Sequence, residues 1–85
     1  MIRLSPEQRK TLIISTAVEL ANRDGLLAVT HASVAEAADI SMAVRTVRKF
    51  FLRDELLQAV AKDARACDAV RTTAKLIGLQ TVAVG

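Results

Sequence analysis

The chain has no tryptophan and no tyrosine, and its only aromatic rings are the adjacent Phe50 and Phe51. One proline and three glycines in 85 residues leave too little punctuation for a series of hairpins, which argues against an all-β fold. A single cysteine, Cys67, cannot form an internal disulfide and reads as a small buried apolar residue. His31 is the only histidine, so no Cys/His cluster offers a zinc site and any imidazole chemistry rests on one side chain. No apolar run reaches the length of a membrane span, and the amino terminus lacks a signal-peptide pattern. The expectation is a cytoplasmic protein with no membrane partner and no cofactor.

What is present is aliphatic and charged. Apolar residues make up 52% and charged residues 25%, the balance of a globular domain and not of a disordered chain. A domain this small buries roughly two-thirds of its unfolded surface, which makes a partner subunit attractive as additional core. The net charge is +3, and its distribution matters more than its sum. Residues 1–30 carry four basic and three acidic groups, and residues 54–85 carry four of each. Between 45 and 53 stand Arg45, Arg48, Lys49 and Arg53 with no acidic residue among them. That concentration is a polyanion footprint.

Helical signals run along the chain. Ser5-Pro6-Glu7-Gln8 combines a cap, a proline suited to the first helical position and a capping-box glutamine. Apolar residues then recur at Leu12, Ile13, Ala17, Leu20 and Ala21, which predicts a helix over 6–23 ended at Gly25. Thr30 is the next cap, opening a short helix through Ala38 with Val34, Ala35 and Ala38 inward. Asp39-Ile40-Ser41 reads as a tight turn, with Ser41 capping a helix from Met42 to Phe51. Asp54-Glu55 suits the start of a fourth helix, expected to continue to Leu76 or Ile77 before Gly78. It carries two apolar stripes: Leu57, Val60, Ala61, Ala64 and Cys67, and Leu56, Ala59, Ala66, Val70 and Ile77. One stripe covers the preceding helices and the other needs a partner. The tail Leu79–Gly85 is apolar, and fraying, strand formation and docking all stay open for it.

Two short helices joined by a tight turn, the second basic, are what helix-turn-helix DNA binding requires. The small Ala35 and Ala38 allow a close crossing, and outward groups of the second helix reach base edges while its flanks meet phosphates. The expected fold is therefore all-α: a three-helix helix-turn-helix core over 1–53, and a fourth helix with an apolar tail over 54–85 as the dimerisation element of one compact domain.

The order Gly25, Val29-Thr30, Val34-Ala35, Ala38-Asp39-Ile40-Ser41, Thr46-Val47 and Phe50-x-x-Arg53-x-x-Leu56-Leu57 resembles the amino-terminal domain of TetR-family repressors over residues 9–61. The resemblance implies a homeodomain-like or TetR-like helical scaffold and a transcriptional repressor. There are departures. Asp39 stands where the family has glycine, and Arg48 falls near the place of the family's phosphate-contacting tyrosine. The stretch from Ser41 to Phe50 is one residue longer than usual, so Phe50 and Phe51 compete for the family phenylalanine and the helix register stays open by one residue. The family's ligand-binding domain has no counterpart here, which implies no small-molecule inducer and a homodimer formed through helix four.

The candidate DNA-binding residues are Thr30, Met42, Ala43, Arg45, Thr46, Arg48, Lys49 and Arg53. Arg45 suits a bidentate hydrogen bond to guanine, and Thr46 or Ala43 a thymine methyl. Arg48, Lys49 and Arg53 suit phosphates, Arg53 together with helix-terminal amides. Thr30 is a cap that also sits where phosphate passes. His31 reads as a surface histidine or a DNA contact. Arg3, Arg9 and Lys10 form either a DNA-reaching arm or a frayed terminus. The rival to a double-stranded-DNA regulator is a small helical protein-interaction module, an inhibitor or adaptor. An enzyme is not expected, because no pair of groups suited to acid–base or nucleophilic work is visible.

Overall fold

The computed structural model describes residues 4–38 and 43–81, and among them every regular element is helical. Helix α1 is Pro6–Asp24. Ser5 Oγ accepts from the Gln8 amide at 3.1 Å and Gln8 Oε1 accepts from the Ser5 amide at 2.8 Å, closing the expected capping box. Gly25 ends the helix at φ 99°, ψ 156°, a region open essentially to glycine alone. A Cβ there would meet nothing within 4 Å, so the requirement lies in the backbone torsions and not in space. A 3-10 turn, Leu26–Ala28, leads to helix α2, His31–Ala38.

Helix α3 is Val44–Phe50, shorter than the expected span from Met42 to Phe51. Ala43 stands at its extended N-cap position without a side-chain cap, and Phe51 leaves the helix at φ −142°, ψ 129°. The Asp39-Ile40-Ser41 turn, the Ser41 cap and Met42 fall outside the described residues.

The single long fourth helix is replaced by two, α4 (Arg53–Lys62) and α5 (Asp68–Leu76), separated by a corner. The corner is built from polar contacts. Asp63 Oδ1 accepts from the Arg65 amide and from Arg65 Nε, both at 2.9 Å. Asn22, on α1, donates to the Arg65 carbonyl and accepts from the Cys67 amide, each at 2.9 Å. Ala66 is pressed into the core between them. The chain breaks because a folded-back α5 packs Val70 and Ala74 against α1, α4 and the 3-10 turn. A continued helix would leave that apolar face in water.

The core runs through all five helices: Ile13, Ala17 and Ala21 of α1, Leu26 and Val29 after it, Val34 of α2, Val47 of α3, Leu56 and Val60 of α4, and Val70 of α5. Helix α1 is the organising element, packing against α2, α4 and α5. Several expected burial assignments change. Leu56 and Leu57 are both buried, so both stripes of α4 are spent on the chain's own core. Cys67 and Ala64, expected in a stripe, are exposed at the corner. The chain turns at Gly78 (φ 85°) and returns: Leu79 packs against the core, and Gln58 Nε2 donates to the Gln80 carbonyl at 2.6 Å, while residues 82–85 of the tail fall outside the described residues.

Candidate nucleic-acid interface

Helix α3 has seven residues, of which one, Val47, is fully buried. At 3.6 residues per turn, Arg45 projects about 160° away from Val47 around the helix axis, with Arg48 and Lys49 on either side. All three are exposed, as is Arg53 in the first turn of α4. Among the described residues the ion pairs are Arg23–Asp24 and Arg65–Asp63, each at 2.9 Å. None of the four central cations is locked to a carboxylate within that set. Thr46 is half-buried and lies nearer Phe50 than the cationic side. Ala43 is exposed at the helix start. Met42 falls outside the described residues.

Thr30 caps α2 through a reciprocal pair with Ser33. The Ser33 amide donates to Thr30 Oγ1 at 3.0 Å, and the Thr30 amide donates to Ser33 Oγ at 2.9 Å. Ser33 Oγ in turn reaches the Ala28 carbonyl at 2.9 Å. The Thr30 hydroxyl is therefore committed within the protein, its proton directed at Ser33 Oγ at 3.1 Å. Ser33 was not singled out by sequence because the usual capping-box signal is glutamate or glutamine at that place.

His31 is neither fully exposed nor idle. Its Nε2 lies 2.8 Å from the Phe51 carbonyl, and because a carbonyl only accepts, Nε2 carries the proton. The amide of the same peptide unit, Leu52 N–H, donates to Glu55 Oε1 at 3.0 Å. The Phe51–Leu52 peptide is thus gripped from both sides, by α2 through its oxygen and by α4 through its nitrogen. This peptide joins α3 to α4, so the double grip sets where the cationic helix stands. Glu55 supplies half of a capping box, since Leu52 has no side-chain acceptor.

Around this junction a recess is lined by Thr30, His31, Val44, Arg48, Leu52 and Arg53. It gathers the starts of α2 and α4 and one side of α3 at a single place. Its walls hold no carboxylate among the described residues. Arg9 and Lys10 do not form an arm. They lie within α1, where Lys10 Nζ stands 5.7 Å from the centroid of the buried Phe51 ring. Arg3 falls outside the described residues.

Among the described residues no three His, Cys, Asp or Glu side chains gather as metal ligands, and no helix is long and apolar enough to cross a membrane. In comparisons with family models, curated proteins and solved structures, nothing matched the chain.

Proposed function

We propose that the chain is a sequence-specific DNA-binding transcriptional regulator, a repressor acting as a dimer, with α3 in the major groove. The observation that carries this reading is the outward face of α3, where Arg45, Arg48 and Lys49 stand exposed opposite the buried Val47. On this reading α2 and α3 are the two helices of a TetR-like helix-turn-helix, and the fixed Phe51–Leu52 junction presents α3 at a set angle. Arg45, at the crest, pairs with a guanine edge, while Arg48, Lys49 and Arg53 hold phosphates. Ala43 is free to meet a thymine methyl; Thr46 stands off the crest and Thr30 serves mainly as a cap. The protein is cytoplasmic on this reading, and we assign it no reaction. Two copies present two α3 helices to half-sites about one duplex turn apart. Because both α4 stripes are buried, we place the pairing at Leu76 and Ile77, two adjacent exposed apolar residues at the end of α5, away from the α3 face that carries Leu52.

A fluorescence-anisotropy titration of duplex DNA against salt tests this. Lys49→Ala is expected to weaken every sequence alike and reduce the salt slope by about one. Arg45→Ala is expected to cost about 1–3 kcal/mol of discrimination at one base position. Absence of duplex binding at low salt, or indifference to both changes, overturns the reading. Leu52, 67% exposed beside Val44 and Arg48, favours the second reading, a protein-interaction module whose acidic, partly apolar partner covers this same face.

A further inference from the structure

We propose that His31 is a proton-linked phosphate ligand: DNA binding charges its imidazole, which joins Arg48 and Arg53 around one backbone phosphate. The inference rests on the DNA-binding reading above and adds both a ligand and a pH control to it.

The geometry divides the two ring nitrogens. Nε2 is spent on the Phe51 carbonyl, 2.8 Å away, and a ring that gains a second proton keeps that bond, because both nitrogens then donate. Protonation therefore costs the α3–α4 junction nothing. Nδ1 is the ring nitrogen left for an external partner, and His31 lies in the wall of the recess with Arg48 and Arg53. The charged groups that share the recess wall with the ring are cationic: Arg48 from α3 and Arg53 from α4. The nearby carboxylate, Glu55, is engaged with the Leu52 amide on the far side of the same peptide.

A phosphate seated between the two arginines brings negative charge beside the ring. It also accepts a hydrogen bond from Nδ1–H, so binding and protonation favour each other. No other histidine is present, which makes the linkage assignable to one residue.

The test is the affinity for a fluorescent duplex of arbitrary sequence, measured at constant salt from about pH 8 down to about pH 6. Phosphate contacts are independent of sequence, so no operator is needed. The affinity of the unaltered protein is expected to rise on acidification, at most about tenfold per pH unit for one proton. His31→Gln keeps a neutral amide donor at the site and is expected to bind with a flat pH profile. In the unaltered protein, the NMR signal of the lone imidazole, held near pH 7, is expected to move toward the imidazolium position when duplex is added. Binding without pH dependence, a slope retained by His31→Gln, or an imidazole signal that ignores DNA each overturns the inference and leaves the DNA reading standing. Absence of duplex binding at every pH removes both.

Discussion

At the scale of single residues, short polar side chains do more than the aliphatic majority suggests. Ser33 closes the start of α2 by accepting from the Thr30 amide and reaching the Ala28 carbonyl, so it ties the 3-10 turn to the helix. Ser33→Ala strips the cap of its reciprocal partner, and thermal or urea unfolding is expected to show a loss of about 1 kcal/mol. Asp63 does the same for the α4–α5 corner. The Arg65 guanidinium, by hydrogen bonding, holds its carboxyl below the ordinary value of 3.8, with burial opposing and the Arg65 amide and charge adding to the effect. A carboxyl lowered on folding contributes stability in full above its unfolded value and loses it as pH falls through the folded one. Stability is therefore expected to decline below about pH 4, and Asp63→Asn to flatten part of that decline in acid-unfolding curves. Such residues are hard to read from sequence, because their worth depends on an acceptor or donor placed by another element.

At the scale of elements, α3 is held differently from its neighbours. Helix α1 buries six residues between Ile13 and Ala21, whereas α3 rests on Val47, with Phe50 beside it and Phe51 beyond its end. Val47→Ala removes two buried methyl groups, about 2 kcal/mol by transfer and cavity cost. The loss is expected to fall locally. Amide exchange in α3 should accelerate more than in α1, and duplex affinity should drop while the rest of the fold persists. If exchange rises equally in both helices, α3 is not an independent unit. The boundaries of α1 were legible because Ser5, Pro6, Gln8 and Gly25 act on their own neighbours. The break between α4 and α5 was not. Residues 59–66 contain four alanines and neither glycine nor proline, so local preference favours continuation. The corner beyond α4 is held by Asp63 and by Asn22, more than 40 residues earlier, together with the burial of Ala66 and Val70.

At the scale of the whole molecule, one face is cationic and one end is apolar. Leu76 is 81% exposed and Ile77 is close to half-exposed, beyond the point where α5 has satisfied its buried face with Val70 and Ala74. If pairing of two copies uses this end, sedimentation of the intact chain is expected to give a dimer, and Leu76→Lys with Ile77→Lys a monomer that is still folded. A monomer from the unaltered chain would refute this placement. The break in the expected fourth helix matters here. It turns the second apolar stripe of α4 inward, so a helix-long apolar seam is not left on the surface and only the helix end at Leu76 and Ile77 serves the proposed pairing.

The cationic run at 45–53, the helical class and the first helix follow from residue order alone, since charge, periodicity and caps act over a few neighbours. The tertiary structure decided which way Arg45 points, that His31 grips the Phe51 carbonyl, and that Asn22 holds the corner between α4 and α5. The last two join groups 20 to 45 residues apart, which only the packing of α2 on α3 and of α1 on α4 and α5 brings within hydrogen-bonding distance; the first rests on the burial of Val47 in that same packing.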